Sequence, residues 1–147
     1  MKVVRVETVL NAPPDFVWKT VLKYSTLSHI MKGLIRFSGD MPEYIKAGDR
    51  FWVRLWFFHC IPAWKHLLTI SSVDSENRKI QSEESGGMVR KWNHLIEVHA
   101  LPDGRTHYVD QIEIDAGALT PAVAAWAHIQ YRYRQARWRR LAVQAKN

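Results

Sequence analysis

The sequence has a single cysteine and no long uninterrupted run of apolar residues. Cys60 alone cannot form an internal disulfide and supplies no thiol cluster for a structural zinc site. The stretch MKVVRVETVL alternates apolar and polar residues, so it is neither a signal-peptide core nor a membrane-spanning helix. No repeat, low-complexity tract or Pro/Gly/Ser linker divides the chain. We therefore expect residues 1–147 to form a single domain of the reducing cytoplasm.

Acidic residues are scarcer than basic ones, and the difference is local. The chain has 14 Asp and Glu against 21 Lys and Arg, which gives a formal net charge of +7. Arginines concentrate near the C-terminus, at Arg132, Arg134, Arg137, Arg139 and Arg140. Aromatic residues are plentiful, with seven Trp, five Tyr and five Phe. Some of these aromatics must line something larger than a plain core.

Hydrophobic periodicity predicts one strand, two short helices and then a sheet. Alternation from Val4 to Leu10 indicates the first strand, and the prolines of NAPPDFVWKTVLKY indicate a helix start. We expect Ser25 to cap a second helix that ends at Gly33. A period of two follows, which predicts an antiparallel sheet from strands at 34–38, 49–58, 63–73, 79–84, 89–101 and 105–115.

The stretch LPDGR predicts a hairpin turn between the last two strands. Its Pro and Asp suit a type I turn, and Gly104 suits a bulge with positive φ. If Leu101 faces Arg105, the even-numbered residues of both strands share one buried face, on which Asp110 lies diagonal to His94. The predicted buried set is Trp92, His94, Ile96, Val98, Tyr108, Asp110, Ile112 and Ile114.

The last segment, AGALTPAVAAWAHIQYRYRQARWRRLAVQ, predicts a long helix that starts near Thr120 and Pro121. Its first half is mostly alanine, which supplies too little volume to fill the concavity of a curved sheet, so we expect a space beneath it. A helical projection predicts an apolar stripe of Leu119, Ala122, Val123, Trp126, Ile129 and Tyr133. The opposite side is expected to carry His128, Arg132, Gln135 and Arg139.

This order of elements resembles the helix-grip fold of the START/SRPBCC (Bet v 1-like) superfamily, including its polyketide cyclase/dehydrase-like branch. The segment NAPPDFVWKTVLKYSTLSHIMKG is similar to the family's first strand-to-helix segment, and RKWNHLIEVHALPDGRTHYVDQIEIDAGALTP to its last hairpin and the start of its last helix. The similarity spans nearly the whole chain. Its motifs identify architecture better than activity.

The resemblance implies an α+β fold in which a seven-stranded antiparallel sheet with two short helices grips the C-terminal helix around a hydrophobic cavity. The tunnel of this family takes lipids, sterols, polyketides or other apolar molecules. The positions that would face it, carried over from the resemblance, are Phe51, Val53, Leu55, Phe57, His66, Leu68, Trp92, His94, Tyr108, Asp110, Ile112, Trp126, Ile129 and Tyr133.

The pair of His94 and Asp110 is the strongest candidate for a catalytic site. A carboxylate beside an imidazole can fix its tautomer and raise its basicity, as a general base in an aldol cyclisation or a dehydration requires. Equally, a buried polar pair can satisfy itself and fix the strand register. Both interpretations stand at this point.

Two further clusters have competing interpretations. His59, Cys60 and His66 contain metal-ligating atoms, but their spacing matches no ligand pattern and Pro62 makes HCIPAW a turn, so we expect no metal. Trp52, Arg54 and Trp56 lie on the other face of the third strand. They either form an exposed patch for a partner or a membrane, or pack under the first helices.

The C-terminal arginines point in several directions around a helix, so they cannot all face a phosphate track. We expect no nucleic acid as partner, and we interpret the segment as a helix whose basic end complements the helix dipole and can contact an anionic membrane or an acidic partner.

Three functions follow as hypotheses. The leading one is a carrier or sensor that binds a hydrophobic or aromatic small molecule, such as a lipid, polyketide or quinone, beneath the last helix, without a cofactor. The second is a cyclase or dehydratase with His94 and Asp110 as its acid–base pair. The third is an adaptor for a membrane or a protein.

Overall fold

The computed structural model describes residues 1–144, which form an antiparallel sheet with helices on one side. The strands are β1 (Lys2–Leu10), β2 (Ile35–Ser38), β3 (Arg50–Phe57), β4 (Ile61–Asp74), β5 (Lys79–Gly86), β6 (Val89–Ala100) and β7 (Thr106–Asp115). The helices are α1 (Pro14–Val21), α2 (Tyr24–Met31) and the long α3 (Thr120–Gln144), preceded by a 3₁₀ turn at Gly117–Leu119. The sheet has the order β1-β7-β6-β5-β4-β3-β2. This arrangement confirms the predicted seven-stranded α+β fold.

The β6–β7 hairpin forms as its turn chemistry predicted. The Leu101 amide donates to the Arg105 carbonyl at 2.9 Å, and Gly104 has the positive φ of +86° that the bulge requires. In the resulting register His94 pairs with Ile112, which places Asp110 on the diagonal. The predicted even-numbered set is buried: Trp92, His94, Ile96, Val98, Tyr108, Asp110, Ile112 and Ile114.

The start of α2 differs from the expected one. Ser25 lies inside the helix, and the residue before the first turn is Lys23, which makes no side-chain capping bond. The Tyr24 amide instead donates to the Glu43 carbonyl at 3.1 Å, so a neighbouring loop satisfies the helix end. The predicted glycine end is present: Gly33 has φ +95°, and a Cβ there would lie 2.9 Å from the Tyr133 hydroxyl.

Helix α3 is rotated from the orientation that apolar periodicity predicted. Ile129 is 58% exposed, whereas Gln135 is 1% exposed. The reason lies in what each face buries: Tyr131 and Trp138 bury larger apolar surfaces than Ile129 can, and Gln135 is needed to satisfy polar groups of the sheet. The inward row is Ala124, Ala127, Tyr131, Arg134 and Trp138.

Gln135 anchors the second half of α3 to the edge of the sheet. Its Nε2 donates to the Val6 carbonyl at 2.7 Å and to Asp110 Oδ2 at 3.0 Å. One turn later, the Trp138 ring lies 5.2 Å from the ring of Tyr108, and both side chains are fully buried. The helix is therefore packed directly on β1 and β7. Within residues 1–144, no helix combines the length and the apolar character needed to cross a bilayer.

Candidate functional site

A cavity of about 310 Å³ lies between the concave face of the sheet, α2 and α3. Alternate residues of a strand point to the same face, so β3 to β6 each contribute inward side chains to it. From α3 the lining includes Ala122 and Val123, which are small. This volume lies at the lower end of the range for small-molecule pockets. The apolar lining includes Leu55, Phe57, Leu68, Ile80, Trp92, Ile96 and Trp126.

Three aromatic rings form one wall of the cavity. Phe57 meets Trp64 at 5.7 Å and Trp126 at 5.8 Å between ring centroids, both edge to face. Gly87 makes room for the indole, because a Cβ there would lie 2.6 Å from a ring carbon of Trp64. The SGG turn therefore shapes this wall as well as reversing the chain.

The structure places half of the expected site residues on the cavity. Leu55, Phe57, His66, Leu68, Trp92, His94 and Trp126 line it. Their predicted role in ligand binding stays a prediction. The others lie elsewhere, for reasons that differ between the two ends of the sheet.

On β3, two positions that were expected to face the cavity pack elsewhere. The Phe51 ring packs edge-on against Tyr24 at 5.3 Å, and Val53 is buried in the core. On α3, Ile129 faces outward, and the Tyr133 hydroxyl donates to the Lys32 carbonyl. These four side chains lie outside the lining.

Near β7, the anchored half of α3 occupies the space that was expected to be open. Tyr108 and Ile112 are fully buried, Tyr108 against Trp138, and Asp110 lies beneath His94. These three therefore form a layer behind the cavity wall, and the expectation that they face the cavity was wrong.

His94 and Asp110 form a buried pair, as the strand register predicted. The distance from His94 Nε2 to Asp110 Oδ1 is 2.7 Å, and Asp110 is 0% exposed. Burial raises the pKa of the Asp110 carboxyl, but the Arg134 charge and hydrogen bonds from His94 and Gln135 lower it more, so its pKa lies below the usual range. The carboxylate thus orients the imidazole and leaves His94 Nδ1 for a ligand in the cavity.

A second histidine–carboxylate pair, which the sequence analysis missed, lies across the cavity lining. His66 Nε2 is 3.1 Å from Glu84 Oε1, and Ser82 Oγ donates to Glu84 Oε2 at 2.8 Å. Burial raises the pKa of Glu84, but its bond to His66 and the charges of His66 and His94 bring it below the usual value. The signal was available, because Ser82 and Glu84 continue the alternation that starts at Ile80.

The candidate metal cluster does not converge. His59 Nε2 accepts a hydrogen bond from the Gly33 amide at 2.7 Å, whereas His66 pairs with Glu84. Cys60 is exposed. In the described part of the chain, no group of three or more His, Cys, Asp or Glu side chains lies close enough together to hold a metal ion.

Arg134 lines the cavity, and the sequence analysis did not distinguish it from the other C-terminal arginines. It is 5% exposed and lies 4.8 Å from the centroid of the Tyr131 ring. Burial lowers its pKa, but Asp110, Tyr131 and Tyr108 together raise it more, so the guanidinium stays charged. The spacing 124, 127, 131, 134, 138 is a heptad-like row, and it could have shown that this arginine differs from its neighbours.

The other C-terminal arginines diverge as predicted. Arg132 Nε donates to His128 Nε2 at 2.8 Å, Arg137 donates to the His29 carbonyl at 3.2 Å, and Arg139 donates to Thr8 Oγ1 at 3.0 Å. They contact different elements of the fold and form no single stripe.

The outer face of β3 is exposed and does not pack under the first helices. Trp52 is 58% exposed. Trp56 donates from Nε1 to Ser38 Oγ at 3.0 Å, and the guanidinium of Arg36 lies 4.5 Å from its ring centroid. Packing under the first helices is therefore wrong, and a partner or a membrane for this exposed face stays a prediction.

No protein-family model and no curated protein matches the chain. Similar solved structures include a Chromobacterium violaceum protein (14% identity, TM-score 0.73, covering 95% of this chain and 96% of that one). The norcoclaurine synthase of Thalictrum, in complex with a transition-state analogue, is similar at 15% identity and TM-score 0.71 (99% and 96% covered). A Thermus thermophilus protein is similar at 15% identity and TM-score 0.70 (99% and 100% covered). The chain therefore shares the helix-grip fold of these solved structures, as the sequence resemblance implied.

Proposed function

We propose that this protein binds a hydrophobic or aromatic small molecule, such as a lipid, polyketide or quinone, beneath α3 as a carrier or sensor. The observation that carries the proposal is the cavity of about 310 Å³ with its wall of edge-to-face aromatic rings. Apolar burial would supply the affinity, at roughly 25 cal/mol per Å² removed from water. The few polar groups at one end would orient the ligand.

Native mass spectrometry against a lipid and polyketide library tests the binding. We expect a bound apolar molecule, and we expect Trp126→Ala to weaken its binding about tenfold because that ring closes the aromatic wall. The matched control is Trp52→Ala, which removes an indole from the outer face of the sheet and leaves the cavity unchanged. A protein that stays empty with every compound contradicts the proposal.

A second candidate, an acid–base enzyme, is favoured by one specific distance. His94 lines the cavity and holds Asp110 at 2.7 Å, so a substrate proton near His94 Nδ1 could pass to an imidazole whose orientation is already fixed. The similarity to a protein named as a synthase agrees with this possibility. Deprotonation next to a ligand carbonyl would begin a cyclisation or dehydration.

Single-turnover assays with polyketone substrates separate the two candidates. For an enzyme, His94→Gln abolishes turnover while the ligand still binds, because Gln keeps a polar side chain in place without a base. Turnover that survives in His94→Gln eliminates the assigned acid–base role. Binding without turnover in the unaltered protein favours the carrier or sensor.

A further inference from the structure

We infer that the ligand carries an anionic group, a carboxylate or a similar acid, that Arg134 binds inside the cavity. This inference rests on the proposed binding function and deepens it, because it names the chemistry of the ligand's polar end. It rests on the hydrogen bonds that the buried Arg134 guanidinium lacks and on those that the surrounding carboxylates already accept.

Arg134 is buried with an incomplete set of hydrogen-bond partners. Its Nε has no hydrogen-bond partner in residues 1–144, and the guanidinium faces a cavity whose lining is otherwise mostly apolar. A buried charge is costly unless it is paired and hydrogen-bonded. The ring of Tyr131, the charge of Asp110 and the nearby Tyr108 hydroxyl compensate part of this cost.

The carboxylates nearby already have other donors. Asp110 accepts a hydrogen bond from His94 at Oδ1 and one from Gln135 at Oδ2. Glu84 contacts His66 through Oε1 and Ser82 through Oε2. Both anions thus already accept hydrogen bonds from the sheet and the helix anchor. Asp110 stabilises the guanidinium through its charge, while Arg134 Nε keeps unused hydrogen-bonding capacity.

A second donor lies beside the guanidinium. The Tyr131 hydroxyl accepts a hydrogen bond from Trp92 Nε1 at 3.2 Å, which leaves its own O–H to donate. Guanidinium and hydroxyl therefore offer donors to one ligand group at one end of an aromatic cavity. An anion or a strong acceptor satisfies them, and a carboxylate matches the planar fork of arginine in both charge and shape.

Two fluorescent probes with a common skeleton test this inference. 1-Anilinonaphthalene-8-sulfonate carries an anion, and N-phenyl-1-naphthylamine is the same ring system without it. We expect the unaltered protein to bind the sulfonate more tightly. Arg134→Met should weaken sulfonate binding about ten- to a hundredfold, the usual range for a lost charge-assisted hydrogen bond, and leave the neutral probe within about twofold.

The matched control is Arg132→Met, which removes the same charge from the exposed side of α3. If both variants weaken the sulfonate equally, the effect comes from overall charge and the inference is overturned. If the neutral probe binds and Arg134→Met leaves the preference unchanged, the inference fails while the proposed function stands. If neither probe binds the unaltered protein, the proposed function itself fails.

A second measurement needs no variant and so does not depend on its folding. Decanoate and decanol are compared as competitors that displace N-phenyl-1-naphthylamine from the unaltered protein. We expect decanoate to compete at least tenfold more strongly, because only the acid can pair with the guanidinium. Equal competition overturns the inference.

Discussion

Two faces of α3 contact the sheet, and their packing differs: one face packs on β1 and β7, and the other borders the cavity. Over β1 and β7 the helix presents Gln135 and Trp138, which fill the space and satisfy the polar groups beneath. Toward β3 to β6 it presents Ala122, Val123 and Trp126, and a cavity remains whose lining reaches as far as Trp138. The sheet continues through both regions, so the face that α3 turns toward each one decides which is core and which is cavity.

The largest difference between these regions should appear in the free energy of unfolding when an indole is removed. Trp138→Ala removes a fully buried ring on the packed side and should lower the free energy of unfolding by about 3–5 kcal/mol. Trp126→Ala removes a half-buried ring at the cavity and should cost less than about 1.5 kcal/mol. Urea denaturation of both variants measures the difference. Equal losses would mean that the two indoles are packed alike.

A larger side chain should destabilise the packed region and, at the cavity, should reduce probe binding instead. Ala127→Phe introduces a ring at a position with no exposed surface and should cost about 1–3 kcal/mol through overpacking. Val123→Phe places a similar ring into the cavity, so we expect little change in stability and a loss of probe binding. Thermal denaturation with N-phenyl-1-naphthylamine titration checks both effects. A strongly destabilised Val123→Phe would show that the cavity cannot take additional volume.

Acid should destabilise both regions through their buried carboxylates. The pKa values of Asp110 and Glu84 are lower in the folded protein than usual, so as the pH falls the unfolded chain takes up protons first. Their stabilisation is present above about pH 4 and is lost as the pH falls through the folded-state pKa, by about 1.4 kcal/mol for each unit of lowering.

Glu84→Gln should therefore flatten the dependence of stability on pH between about 5 and 3. Chemical denaturation at several pH values measures this slope. The exposed Glu76→Gln, in the β4–β5 turn, removes the same formal charge as a control. A slope that Glu84→Gln leaves unchanged would show that this carboxylate has the same pKa in both states.

Patterns among neighbouring residues predicted the sheet, whereas contacts between residues far apart in the sequence determine the rotation of α3. Period-two alternation and the LPDGR turn are set by neighbouring residues, so the β6–β7 register and the His94–Asp110 pair followed from them. The rotation of α3 depends on Gln135 reaching Val6, at the other end of the sequence. Apolar periodicity carries no information about that bond. It also does not distinguish Arg134 from the other basic residues of the helix.

A structure of the protein with N-phenyl-1-naphthylamine bound tests the central claim most directly. We expect the probe to lie beneath α3 with its rings against Trp126 and Trp92. The hydrogen bonds of Gln135 that anchor the helix should be unchanged. A probe found only on the outer surface of the sheet, or a cavity closed by collapse of α3 onto β3 to β6, would contradict it.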